Sequence, residues 1–237
     1  MQYGLYDKIL KNKFSNDKDY IIRLCRISEF NRISKFINNF WKKNHIFVKN
    51  KKLFYWQHKQ FNQINFLIAE HKKTKNIHGI LGLVSKNFFR YSKIRKKDDI
   101  WIAIIKVEKS FNPPRGLGTS LIKFLVKKYE PKTLSALGIS KEIVRLYEFL
   151  GFKIDNLKQF YIKNYFIKKF KIAQFEKNTK IKEIPKNSNF NLNKVSKVYL
   201  ERNKKIINKL DTDKNYSYLK KRFIDHPIYK YIFFSIT

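Results

Sequence analysis

The sequence is short of sulfur and of acid. Cys25 is its single cysteine, so no disulfide closes within the chain and a reducing, cytoplasmic setting is expected. It ends the run Tyr20-Ile21-Ile22-Arg23-Leu24-Cys25, which reads as a strand and predicts a buried structural thiol rather than a nucleophile. No apolar run approaches the ~20 residues needed to cross a bilayer, and the polar, charged start does not read as a signal peptide. The histidines (His45, His58, His71, His78 and His226) are scattered without ligand spacing, so no metal site is expected. Acidic residues number 18 against 53 lysines and arginines, a formal net charge of +35. Such an imbalance points toward nucleic acid or an anionic membrane surface. Yet the basic residues run through the whole chain rather than gathering in a tail. Enrichment in Lys, Asn, Ile, Phe and Tyr with little Ala matches A+T-rich codon usage, and no recognised nucleic-acid motif accompanies it. Nucleic acid is the disfavoured partner.

What is present is enough apolar material for a core, 43% of residues, and one telling loop. Asn112-Pro113-Pro114-Arg115-Gly116-Leu117-Gly118-Thr119-Ser120-Leu121-Ile122 follows the β-branched run Ile100-Trp101-Ile102-Ala103-Ile104-Ile105 and precedes an amphipathic helical pattern. Strand, glycine turn and helix in that order offer free backbone N–H groups and the positive helix end to an anion, as a pyrophosphate cradle does. Gly116 and Gly118 permit close approach and positive φ, Thr119 and Ser120 are short, and Arg115 adds a cation. A plain turn uses the same pattern. Then Ser135-Ala136-Leu137-Gly138-Ile139 predicts a buried strand and Ser140 to Leu150 a helix, with Ser140 as N-cap and Gly151 as left-handed C-cap. Ile143, Leu146, Phe149 and Leu150 share one face of that helix, with Tyr147 beside it.

The two segments resemble the GCN5-related N-acetyltransferase superfamily. Its acetyl-coenzyme A motif reads Gln/Arg-x-x-Gly-x-Gly/Ala, and a later helix reads Asn-x-x-Ala-x-x-Leu-Tyr-x-x-x-Gly-Phe. Here the first becomes Pro113-Pro114-Arg115-Gly116-Leu117-Gly118, and the second spans Ser140 to Phe152 with Leu146-Tyr147 and Gly151-Phe152 in register. Pro113 stands where a Gln or Arg is usual, Ser140 for Asn and Ile143 for Ala; a cradle made of N–H groups survives all three. The resemblance implies an α/β (α+β) fold, a central mixed β-sheet flanked by helices, over residues 19–165. It also implies an enzyme that moves an acetyl group from acetyl-CoA, as cosubstrate, to an amine acceptor. Backbone groups of Ile105, Lys106 and Val107 would hold the pantetheine, and Arg115, Gly116, Leu117, Gly118, Thr119 and Ser120 the pyrophosphate, with Ser140 also at the cofactor. Tyr147 matches the tyrosine that protonates the departing sulfur, and a phenol of pKa about 10 can donate to a thiolate at neutral pH; core packing is its other reading. Glu108 is the expected general base, with Glu70, His78 and a water chain as rivals. Trp56, Gln57 and His58 are expected to line the acceptor pocket, or Trp56 to be core. The members most resembled are poorly characterised proteins linked to surface-polysaccharide biosynthesis, so a nucleotide-linked amino sugar is the expected acceptor.

Strands are expected at 20–25, 64–70, 77–84 and 159–164, and helices at 29–41 and 52–59. Residues 166–237 form a C-terminal extension in which 195–210 predicts a helix. Offset by 166 positions, Tyr218 to Ser235 parallels Lys52 to Ala69 as a helix leading into an apolar strand. Two readings stand: an incomplete second acetyltransferase-like module, or an extension covering the sheet edge. A homo-oligomer is compatible with either. Alternatives for the whole are a degenerate acetyltransferase-fold scaffold and a basic nucleic-acid-binding protein.

Overall fold

Between residues 20 and 107 several apolar runs are rich in β-branched residues, which favours extended chain. In the computed structural model, which describes residues 3–11, 17–113, 115–158, 191–210 and 214–236, they form β1 (Tyr20–Arg26), β3 (Gln63–His71), β4 (Ile77–Ser85) and β5 (Asp99–Val107). These strands, with a short β2 (Lys59–Gln60) and β6 (Thr133–Ala136), make one mixed sheet of order β1-β3-β4-β5-β6, β2 pairing with the start of β3. Every pairing is antiparallel except β5–β6.

Helices cover both faces. One cluster sets Ile9 of α1 (Tyr3–Lys11) and Leu117, Leu121 and Leu125 of α5 (Leu117–Tyr129) against Leu67, Leu81, Ile100 and Ile102. The other sets Phe30, Ile33 and Phe36 of α2 (Phe30–Phe36) and Phe54 of α4 (Lys51–His58) against Phe66, Ile80 and Ile104. The expected helix over 29–41 is present as α2 extended by a π-turn over Ile37–Trp41, and a further four-residue helix, α3 (Ile46–Lys49), precedes α4. Helix α1 lies before the expected domain start at residue 19, yet Ile9 is fully buried in the α5-side core. Gly82 is required by packing: a Cβ there would sit 2.7 Å from the Phe66 ring.

The helix α6 (Lys141–Phe149) ends as its sequence predicts, with Gly151 at φ 90°. Phe152 N–H bonds Tyr147 O and Gly151 N–H bonds Glu148 O, both at 2.9 Å, while the Phe152 ring packs on Tyr147. That is a Schellman cap with its usual apolar contact. The buried face differs from expectation. Tyr147 and Leu150 point inward, whereas Leu146 and Phe149 are exposed. The preceding strand is also shifted: β6 spans Thr133–Ala136, and Leu137-Gly138-Ile139 is loop. The strand expected at 159–164 lies outside the described residues.

In the C-terminal part, β7 (Leu192–Val195) pairs antiparallel with β8 (Phe233–Ile236). Between them run α7 (Lys197–Arg202), α8 (Lys204–Leu210) and α9 (Tyr216–Leu219), the last continued by a π-turn to Ile224. The single helix expected over 195–210 is split at Asn203, whose side-chain amide donates to Tyr199 O at 2.9 Å.

An ion-pair network ties β1, α2 and β3 together. Arg23 binds Glu29 through two 2.7 Å bonds and Glu70 at 2.7 Å, and Arg32 reaches Glu29 at 2.5 Å and Glu70 at 3.0 Å. The Arg23 hydrogen bonds hold the Glu29 carboxyl down at about 2, from an ordinary 4.5. A depressed carboxylate stabilises above its unfolded pKa and stops doing so as pH falls through its folded one. The melting temperature should therefore decline between about pH 4.5 and 2, and Glu29→Gln should flatten that part of the curve while lowering the plateau at neutral pH. A scan of melting temperature against pH for both proteins checks it.

Candidate functional site

The sheet opens at one place. Among the described residues β5 and β6 are paired only from Asp99↔Thr133 to Ile102↔Ala136, and β5 then runs on to Val107 without a described partner on that side. At the same level β5 carries a bulge: Gly82 pairs with Ile104 and Leu83 with Ile102, leaving Ala103 unopposed on β4. A bulge reverses the side-chain alternation beyond it. Ile100 and Ile102 face α5, Ile104 faces α2 and α4, and Ile105 and Val107 return to the α5 side. Beyond Ala103, β5 thus presents an open backbone edge, with Ile105, Lys106 and Val107 half-buried along it.

Beyond Val107 a single 3-10 turn over Lys109–Phe111, N-capped by Glu108, precedes the glycine turn. Gly116 occupies the N-cap of α5 at φ 91°, a conformation that a residue with a Cβ adopts only under strain. The first helical bond is Ser120 N–H to Gly116 O at 2.9 Å. The N–H groups of Leu117, Gly118 and Thr119 accordingly have no partner among the described residues, and the first turn of α5 holds no acidic side chain. Of the segment expected to donate, Ser120 is thus already committed through its backbone. Thr119 and Ser120 are buried, Arg115 is exposed, and Arg115 has no ion-pair partner among the described residues. An anion placed here would meet three aligned donors and the positive helix end.

Tyr147 lies on α6, the helix that follows β6. It lines a cavity of about 580 Å³ with Ser135, Ala136, Ile139 and Phe152, and with Tyr6 from α1. The Tyr147 and Tyr6 hydroxyls are both buried without a hydrogen-bond partner among the described residues. An orphaned buried hydroxyl costs about 1–3 kcal/mol unless something else satisfies it. Burial also raises the Tyr147 phenol, so it keeps its proton at neutral pH. Ser140 sits at the N-cap of α6, and its hydroxyl accepts no backbone N–H there.

The structure corrects several expected roles. Glu108 is an N-cap: it accepts from Ser110 N–H at 2.9 Å and lies 3.5 Å from the Lys106 ammonium. Both contacts favour its charged form and lower its pKa, the backbone bond most, which makes it a poor proton acceptor. Glu108→Gln should leave kcat within about threefold, where loss of a true general base costs ~10²–10⁴; steady-state rates decide. Glu70 is held by Arg23 and Arg32, and His78 bonds the Tyr20 hydroxyl at 2.9 Å, so its rivals are engaged as well.

The Trp56-Gln57-His58 trio does not form an open pocket wall. His58 is fully buried among Phe47, Phe54 and Phe66, which drives its pKa down to about 3 and removes it from any substrate. The Trp56 indole donates to Lys221 O at 2.9 Å and packs on Phe89 and His226, so the C-terminal segment occupies it. Gln57 is half-buried beside them. A residue that sequence reading missed is Trp101, 44% exposed one strand position from the end of the β5–β6 pairing. Its signal was the alternation Ile-Trp-Ile-Ala, with Ile100 and Ile102 buried and Trp101 and Ala103 exposed on the other face.

Among the described residues no three His, Cys, Asp or Glu side chains gather to hold a metal ion, and no helix is long and apolar enough to cross a membrane. No family model matches the chain, and neither does any curated protein. Similar solved structures include the aminoglycoside N-acetyltransferase AAC(6')-Iy with a bisubstrate analogue (13% identity, TM-score 0.43, 61% of this chain and 98% of that one). The 6'-N-acetyltransferase AAC(6')-Ih from Acinetobacter baumannii (14% identity, TM-score 0.43) covers the same 61% and 98%. A mosquito arylalkylamine N-acetyltransferase-like protein (15%, TM-score 0.44) covers 58% and 84%.

Proposed function

We propose that the chain is an acetyl-CoA-dependent N-acetyltransferase for a small amine acceptor. The observation that carries this reading is the coincidence of two open backbone surfaces. The edge of β5 beyond Ala103, unpaired among the described residues, is followed in the chain, after a short turn, by the N–H groups of Leu117, Gly118 and Thr119, which have no partner among the described residues. A pantetheine arm is a chain of amides ending in a pyrophosphate, and it needs that succession: a strand edge, then an anion cradle. When bound, acetyl-CoA supplies the activated thioester. Ile105, Lys106 and Val107 would align its amides, Gly116 to Thr119 and Arg115 would hold its phosphates, and Tyr147 would donate a proton to the sulfur. With Glu108, Glu70 and His78 all engaged, the acceptor's proton leaves through water.

For the acceptor we favour a nucleotide-linked amino sugar, in keeping with the resemblance to members linked to surface-polysaccharide assembly. Trp101, rather than Trp56, offers the exposed aromatic face near the end of the β5–β6 pairing on which a sugar or base could lie. Residues 166–237 are best read as an incomplete second module. The order β7, α7 to α9, β8, with its two strands paired antiparallel, matches β1, α2 to α4, β3. The test of the function is calorimetry with acetyl-CoA, followed by thiol release with amino-sugar nucleotides as acceptors. Saturable one-to-one binding and acceptor-dependent release support the enzyme. Absence of binding would leave a scaffold built on this sheet.

A further inference from the structure

At the other end of α5 from the glycine turn lies a cavity of about 480 Å³ that the acetyl-transfer reading does not use. Helix α5 is 13 residues long, which separates the two ends by about 20 Å at 1.5 Å per residue. The cavity's rim is the two-residue hairpin Phe61-Asn62, closed by Gln60 pairing with Gln63. Hairpin turns of this length need a left-handed first residue, which glycine, asparagine or aspartate supplies. Here it is Phe61, at φ 53°. Strain in a bulky residue is tolerated where packing repays it, yet 63% of the Phe61 surface faces solvent. A large apolar ring is thus held out at the mouth of a cavity by a backbone conformation that disfavours it.

Its neighbours are cationic and amidic. The Lys93 ammonium stands 4.7 Å from the Phe61 ring centre, and Lys128 lines the cavity beside Tyr129. Neither lysine has a carboxylate partner among the described residues, whereas the nearby acid, Glu130, is already neutralised by Lys96 at 2.7 Å. Exposed Asn62 and Gln63 line the same rim, and no side-chain hydrogen bond occupies their amides among the described residues. Gln60 plays a different part: its amide donates to Ser92 O at 2.7 Å and so fixes the loop that carries Lys93.

We propose that this cavity is a second ligand site, one that binds a nucleotide. Phe61 stacks on the base, Asn62 and Gln63 read its edge, and Lys93 and Lys128 take the phosphates. An exposed aromatic ring with two ammonium groups that have no carboxylate partner among the described residues, and free amides, at a cavity of the size small ligands use, is that recognition chemistry. A simple apolar ligand would leave both lysines unused, and an inorganic anion would leave the ring unused. Two lysines at a half-open cavity of this size favour a mononucleotide over a length of single-stranded RNA, which needs a continuous basic groove.

The experiment titrates the full chain with ADP, with and without saturating acetyl-CoA, repeats both titrations with Phe61→Gly and with Lys93→Ala/Lys128→Ala, and repeats the titration without acetyl-CoA with Gly118→Asp. One additional equivalent of ADP should bind. Affinity should fall at least about tenfold in Phe61→Gly and in the double lysine variant, and stay unchanged in Gly118→Asp. Phe61→Gly also gives the turn the residue it favours, so its melting temperature should not fall, which separates loss of the ligand from loss of the fold. Binding that vanishes in Gly118→Asp but persists in Phe61→Gly would mean that ADP merely enters the glycine cradle, and would overturn the proposal. So would a single-stranded oligonucleotide that binds far more tightly than ADP, with a steep salt dependence. Inorganic phosphate binding as well as ADP would overturn the role of the ring.

Discussion

Gly118→Asp should give a folded protein that no longer binds acetyl-CoA. A Cβ at residue 118 would lie 3.6 Å from Val107 and 4.0 Å from Ile105, ordinary contact distances, so the side chain fits. Replacing glycine inside a helix removes an entropic cost of about 0.5–1 kcal/mol, and an acid in the first turn adds roughly 0.3–1 kcal/mol through the helix dipole. The melting temperature should hold or rise. The same carboxylate would compete for the N–H groups of Leu117, Gly118 and Thr119 and repel a pyrophosphate. At about 4 Å and an effective dielectric near 20, that repulsion alone is roughly 4 kcal/mol, or on the order of 10³ in affinity. Gly118→Ala serves as the control for bulk and should retain binding within about tenfold. Calorimetry on the three proteins decides: undiminished affinity in the Asp variant would place the phosphates elsewhere.

Much of this arrangement was legible before any coordinates. The glycine turn and the α6 cap are local events, set by residues whose backbone preferences are strong: Gly116 at φ 91° and Gly151 at φ 90° do what glycine alone does easily. The strands of the sheet announced themselves through β-branched runs. What periodicity could not give was the facing of those runs. Ile100 to Ile105 reads as one buried strand, and only the bulge at Ala103 reveals that the inward face changes sides partway along. Leu146 and Phe149 fall on a helical stripe, yet the stripe that packs inward is rotated toward Tyr147 and Leu150, because tertiary contact rather than apolarity chooses the face.

The site residues divide along the same line. In the proposed cradle Leu117, Gly118 and Thr119 would act through backbone groups, so their part follows from the helix start. Glu108, Trp56 and His58 stand out in the sequence only by side-chain type and position along the chain. Their partners come from distant sequence, and these partners change what they can do. Lys221 lies 165 residues from Trp56 and takes its indole N–H. His58 is enclosed by aromatic rings, which seals it from solvent. Phe61 gave no signal at all, since a strained turn residue cannot be told from an ordinary loop aromatic until its φ is known.

Tyr147→Phe is expected to produce a protein that is more stable and almost inactive, a combination that a packing role cannot produce. The ring is 2% exposed and its contact with Phe152 survives the change. Only the hydroxyl is lost, and among the described residues that hydroxyl has no partner. Deleting a buried, unsatisfied hydroxyl relieves a cost of about 1 kcal/mol or more, so the ligand-free protein should melt roughly 2–4 °C higher. In turnover the same hydroxyl is the proposed donor to the departing thiolate. Its removal should lower kcat by ~10²–10⁴ while acetyl-CoA affinity stays nearly constant, because the proton is needed only as the sulfur leaves. Burial holds the phenol's pKa above its ordinary value, so wild-type activity should show no loss of this acid as pH rises through 8 and 9. Differential scanning fluorimetry and initial rates with saturating cofactor measure both halves. A Phe variant that is stabilised yet fully active would return Tyr147 to the core and make water the proton source. One that is destabilised would mean that the hydroxyl has a structural partner and that its orphan state is not what shapes the site.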